Sequence, residues 1–268
     1  MEALFSYGFF QRALLAGLFV AVACAILGLF LLLRKEAMIG HGLAHVTFGG
    51  VALGLFLNVL PLASALVVAI LASLAIMKLK EKAGLHGDAA IGIFSSVGMA
   101  LGIALATIAG RFNADLLSYL FGDILAINRL EVGLSTALAV SVIIIILANY
   151  HRLMYLTFDR ESAKVSGVKT ARLDLILTVL TSVTVVLGMK VVGILLVAAL
   201  LVIPAAAALL LAKSFRQALI FSCLVASLSV VIGLLAAFYL DLPASATVVL
   251  LSFLFFGVSF LLRRRRTV

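Results

Sequence analysis

Tryptophan is absent from this chain, charge is scarce and cysteine occurs only twice. Charged residues make up 12% and apolar ones 65% of the 268 positions, against about 25% and 45–50% in a soluble globule. Too little polar surface remains to cover that apolar area in water, which excludes a soluble fold and points to a lipid bilayer. Cys24 and Cys223 both lie inside apolar runs and suggest neither a disulfide framework nor a CxxC metal knot. Without Trp, any interfacial belt rests on Tyr and Phe, such as Tyr7, Phe112, Tyr119, Tyr150, Tyr155 and Tyr239. Catalytic signatures are missing as well: no G-x-x-x-x-G-K-[ST] phosphate loop, no HExxH helix and no GxSxG elbow. The chain therefore reads as a non-enzyme with no permanently bound cofactor.

What the sequence does have is long apolar runs. A helix needs about 20 apolar residues to cross a hydrocarbon core. Such runs fall at about 11–33, 38–57, 61–79, 88–109, 130–149, 173–189, 191–211, 217–240 and 243–262. They predict an all-α polytopic membrane protein of about nine transmembrane helices in a single domain, 1–268. Only Gly188, Lys190 and Gly193 mark the break between the sixth and seventh runs; one long broken helix there gives eight. The first run continues past Cys24 to Leu33, too long for a signal peptide, so it is read as a retained span.

With the N-terminus outside and the C-terminus cytoplasmic, only Arg12, Arg111, Arg129 and Lys190 lie outside, and the other sixteen of the 20 Lys and Arg residues lie inside. The positive-inside rule demands that asymmetry. The net charge of +9 is then orientation and contact with anionic headgroups of the lipid bilayer, and no nucleic acid is implied. His151 to Arg172, the longest polar stretch, has room for one short cytoplasmic helix. Glycines at small-xxx-small spacing (Gly50 with Gly54, Gly98 with Gly102) allow close helix approach.

Ionisable groups inside a membrane are functional candidates by default. His41 and His45 in the second run are the clearest, since their i, i+4 spacing puts both imidazoles on one helix face. Two imidazoles make half of a tetrahedral zinc site, completed by a second subunit, water or another helix. Alternatively the pair is structural, bonded to backbone carbonyls, Thr47 or serines of neighbouring helices. His86 and His151 fall in cytoplasmic loops and read as solvated. None of the 11 acids lies deep in a span, which counts against the alternative of an ion-coupled secondary metal transporter.

Four stretches then carry a resemblance. They are Ile39-Gly40-His41-Gly42-Leu43-Ala44-His45 followed by Gly50-Val51-Ala52, Asp88 to Ile93, Asp115 to Leu125, and Val192 to Val197 running on to Ile203-Pro204-Ala205. In that order, in a chain of this length, they resemble the family-3 ABC permeases that import zinc, manganese or iron(II), most closely the zinc-uptake branch. The resemblance implies a permease of the bacterial inner membrane, working as a homodimer on two copies of a separate ABC ATPase. It also implies that an extracytoplasmic binding protein delivers the metal. The cytoplasmic coupling loop falls at about 151–172, with Asp159, Glu161, Ser162, Ala163, Lys164 and Gly167 matching the segment that docks on the ATPase. An external re-entrant or short-helix segment falls at about 112–126, with Asp115, Tyr119 and Asp123 as gate or binding-protein contacts. In one place the chain departs from the family: the aspartate that pairs with the second-span histidine is here His41. An imidazole in place of a hard carboxylate moves the expected cargo away from manganese and toward zinc, with nickel, cobalt or copper(I) as alternatives, unless His41 is not a ligand.

Overall fold

A computed structural model describes residues 7–83, 87–109 and 129–264. Eleven helices account for nearly all of them: α1 Gly8–Leu33, α2 Met38–Phe56, α3 Pro61–Ala83, α4 Gly87–Ile108, α5 Arg129–Ala148, α6 Tyr150–Phe158, α7 Arg160–Val165, α8 Thr170–Val192, α9 Ile194–Leu211, α10 Phe215–Leu240 and α11 Ala244–Arg264. Helices satisfy every interior backbone group within the segment, which is why a chain this apolar adopts them. Among the described residues there is no strand. Eight helices are long and apolar enough to cross a membrane singly, and the count reaches nine when Val132–Ala148 and Tyr150–Phe158, bent by 67°, form one span.

The ends of the helices sort onto two sides. Arg34, just past α1, ion-pairs with Asp174 in the first turns of α8, and Lys80 of α3 pairs with Glu36 in the α1–α2 turn. Phe215 at the start of α10 meets the rings of Phe30, Tyr150 and Phe158. These contacts place the ends of α1, α3 and α5 and the starts of α2, α8 and α10 at one end of the bundle. Gly188 stands beside Val197 so closely that a Cβ would meet the valine methyl at 2.4 Å. The chain therefore reverses between α8 and α9, through Gly193 at φ +87°, a conformation that glycine adopts without a Cβ clash. The sixth and seventh runs are thus separate antiparallel spans, and α1 and α11 leave the two described termini at opposite ends.

Tight reversals close several helices. Glu36 N–H donates to Leu31 O (2.8 Å) and Lys35 N–H to Leu32 O (3.1 Å), with Lys35 at φ +58°; this is a Schellman cap with lysine where glycine is usual. Asn58 ends α2 in the same way.

His151 to Arg172 differs from expectation. It carries two short helices, because α5 is followed after a single residue by α6 at a bend of 67°. Asn149 Nδ2 donates to Ile145 O (2.9 Å), the helix bends there, and α6 continues with Leu153 and Leu156 buried. His151 accordingly sits on α6, exposed, with its ring edge-on to Tyr150.

Inside lipid, helices associate by van der Waals contact rather than by hydrophobic exclusion, so small residues set the interfaces. Gly50 and Gly54 of α2 lie against Ala65 and Pro61 of α3, while Gly49 meets the backbone of Gly98 of α4 and Gly102 meets Phe48. A Cβ on Gly98 would stand 2.6 Å from Val46 Cα, which no rotamer change relieves. Gly92, on the same helix, has nothing within 4 Å. Gly98→Ala is therefore expected to destabilise the chain by about 1–3 kcal/mol, whereas Gly92→Ala, with the same gain in helix propensity, does not. Thermal unfolding of both in detergent checks this, and equal midpoints would remove steric packing as the reason for the glycine.

Candidate metal site and coupling helix

His41 is exposed and His45 half-buried on one face of α2, in its first and second turns. Their Nε2 atoms stand 3.2 Å apart, and the rings meet edge to face with centroids 4.7 Å apart. Two imidazoles on a tetrahedral zinc, at about 2.05 Å each, hold their nitrogens about 3.4 Å apart. The donor atoms are thus already at chelating separation; without a cation, the same distance lets one ring donate to the other. Among the described residues the structural alternative finds no support: Thr47 donates its hydroxyl to Leu43 O (2.6 Å), and His45 Nδ1 is buried without a hydrogen bond. Among the described residues, no third His, Cys, Asp or Glu joins the pair. The half-site, exposed at His41 and half-buried at His45, would have to take its remaining ligands from outside the described residues.

The candidate coupling segment is a capped unit. Asp159 is the N-cap of α7, its Oδ1 accepting from Ser162 N–H at 2.9 Å. The hydrogen bonds with Ser162 hold the Asp159 carboxyl below the usual range. Because that pKa is lowered, the cap is fully present above the ordinary aspartate pKa of about 3.9 and is lost as pH falls through the lowered value. At the other end Val168 N–H reaches Ala163 O (3.0 Å) and Gly167 N–H reaches Lys164 O (3.2 Å), with Gly167 at φ +79°. Ala163 is fully buried beneath this cap, while Glu161, Ser162 and Lys164 are exposed. Val165 is 89% and Phe158 64% exposed, which leaves apolar surface uncovered at a polar end of the bundle.

A feature that sequence reading missed ties this helix to the bundle. Asp174, buried with 7% of its side chain exposed, accepts a hydrogen bond from Arg34 Nη2 on Oδ1, and its Oδ2 ion-pairs with Arg160 Nη2 of α7 at 2.8 Å. Arg34 Nε lies 3.5 Å from Glu36 Oε2, and Glu36 Oε1 accepts Lys80 Nζ at 2.7 Å. Ile39 N–H donates to Glu36 O at the entry to α2. Four charged residues and one backbone turn thus run from α7 to the helix that bears the histidines. The signal available in sequence was the placement of a rare acid in the most basic end of the molecule. Asp115, Tyr119 and Asp123, like His86, lie outside the described residues.

The ABC 3 transport family matches residues 6–263. The chain belongs to that family. Its relatives include the manganese import system permease protein ScaB of Streptococcus gordonii, 32% identical over 97% of this chain and 93% of ScaB. The high-affinity zinc uptake system membrane protein ZnuB of Haemophilus influenzae is also 32% identical, over 94% of this chain and 97% of ZnuB. Among solved structures, PsaBC from Streptococcus pneumoniae in complex with Fab superposes with a TM-score of 0.87 at 30% identity, covering 97% of this chain and 93% of that one. The resemblance read from the four motifs is therefore correct at the level of family, and relatives named for manganese and for zinc stand equally near. Like these relatives, the chain is a multi-pass membrane protein.

Proposed function

We propose that this chain is the membrane-spanning subunit of an ABC importer that carries a divalent transition metal, zinc first, into the cytoplasm. The observation that carries this reading is the pair of imidazole nitrogens 3.2 Å apart within a span of a chain of the ABC 3 transport family. Orientation follows from charge: the end that gathers Arg34, Lys80, Arg160 and Lys213 is the cytoplasmic one, so the N-terminus lies outside. Two copies would bring two His41–His45 pairs to a shared path and make up four ligands, which a homodimer supplies and one chain does not. The α7 helix would dock on each of two ATPase subunits through its exposed face, with Phe158 and Val165 as the apolar contacts. Metal would arrive from an extracytoplasmic binding protein at a surface that includes Asp115, Tyr119 and Asp123. ATP hydrolysis belongs to the partner.

Zinc over manganese rests on His41, since imidazole suits zinc while carboxylate and water suit manganese. His41→Asp is expected to move the preference toward manganese. Competition between the two metals for uptake into vesicles, with the binding protein and ATPase unchanged, measures it; an unchanged ratio would take the choice of metal away from this position. Asp159→Ala removes the N-cap of α7 and is expected to weaken ATPase association, as read by co-purification, while leaving the chain membrane-inserted. Unaltered co-purification would place the docking surface elsewhere.

A further inference from the structure

A cavity of about 560 Å³ opens beside the coupling helix, lined by Asn149, Arg152, the Ser166–Lys169 connection, Arg172, Leu173 and Ile176. Three of its lining residues are cations and none is an acid. This sets it apart from the neighbouring cluster, where Asp174 and Glu36 neutralise Arg34, Arg160 and Lys80. The two sets share helix α8: Arg172 serves the cavity, and Asp174, two residues on, serves the ion pairs. Lys169, at the N-cap of α8, offers no side-chain acceptor to the first-turn amides, and that turn has no acid. The wall below is apolar, with Leu173 buried and Ile176 half-buried where α8 enters its span.

We infer that this cavity binds a phosphate-bearing anion, with the headgroup of an anionic phospholipid as its occupant. A basic rim over an apolar wall at the start of a span matches a phosphate joined to acyl chains, whereas free phosphate matches the rim alone. The lipid assignment rests on the orientation proposed above, which puts this end at the anionic cytoplasmic leaflet. A lipid seated between α6, the α7–α8 connection and α8 would brace the coupling helix against the bundle, in addition to the Arg160–Asp174 ion pair.

The test compares two double variants with equal loss of charge at the same end of the molecule, Lys169→Gln with Arg172→Gln and Lys213→Gln with Arg216→Gln. Each is purified with its ATPase, delipidated and titrated with phosphatidylglycerol, bound lipid being counted by native mass spectrometry. The cavity pair is expected to weaken binding about thirty-fold, near five-fold for each cation removed, and the control pair to leave it unchanged. Equal losses in both would overturn the site, since binding would then follow bulk charge. Inorganic phosphate forms the second arm: failure to displace the lipid supports a lipid site, and displacement at equal affinity overturns the lipid assignment in favour of a free phosphate. Lipid counting needs neither metal nor nucleotide, so it passes or fails independently of transport. Labelling of Lys169→Cys by an impermeant maleimide in sealed vesicles tests the orientation by itself.

Discussion

Alanine in place of His45 is expected to abolish ATP-driven zinc uptake while sparing the metal-free ATPase activity of the assembled complex. Among the described residues two metal-ligating donors lie in this region, Nε2 of His41 and Nε2 of His45, 3.2 Å apart, and no third ligand joins them. A site with so few ligands has no redundancy. Loss of a group that merely orients a ligand costs about 10–100-fold in metal affinity, so loss of a ligand itself should exceed about 100-fold. His41→Ala should fall short of that, because His41 is exposed and water can take its place, whereas His45 is half-buried with Nδ1 shielded. Radiolabelled zinc uptake by vesicles, with the binding protein loaded, gives the result. Basal ATP hydrolysis and size-exclusion behaviour report that the variant has folded. If uptake survives both substitutions, metal passes without these imidazoles, and the site is wrong while the family and the fold stand.

The sequence made some of this legible and hid the rest for physical reasons. Apolar runs translate directly into spans because a bilayer admits little else: eight appear as single helices, with the doubtful reversal at Gly193 among them, and the run at 130–149 makes a ninth when α5 and the bent α6 count as one span. Gly98 and Gly102 marked a real interface because small residues are what lets two helix backbones approach. The short helix expected within 151–172 is there as α7, because its boundaries are local: Asp159 as N-cap and Gly167 at positive φ bound six residues. The α6 helix was hidden because its burial of Leu153 and Leu156 depends on neighbours far along the chain. Asp174 was hidden for the same reason, its partner Arg34 being 140 residues away. Thr47 was wrongly considered as a partner for the histidines, since spacing does not tell whether a hydroxyl in a helix turns back to its own carbonyl, as this one does. The choice between manganese and zinc stayed out of reach of overall similarity, because permeases named for either metal are 32% identical to this chain.

Asp174→Asn should be the most damaging substitution outside the histidines. It removes the carboxylate charge opposite Arg34, whose side chain is 10% exposed, and among the described residues leaves the 3.5 Å contact to Glu36 as its one ion pair. Removing one partner of a buried ion pair costs about 3–5 kcal/mol, and the remaining glutamate puts the expectation near the lower figure. Arg160 is different: 56% of its side chain is exposed, and a pair so solvated contributes no more than about 1 kcal/mol. Its value lies in position, since it fastens α7 to α8. A paired replacement separates the two roles. Arg34→Met with Asp174→Leu removes both buried charges, and a well-packed apolar pair of similar volume is often as stable as the ion pair it replaces. The double variant should therefore recover the thermal stability lost by Asp174→Asn, yet transport less metal per ATP hydrolysed, because α7 has lost its tie to α8 and to the turn leading into His41. Wild-type transport per ATP in a stable double variant would mean that the Asp174 cluster only holds the bundle together, and that movement of α7 reaches the histidines by direct packing of α8 on α2.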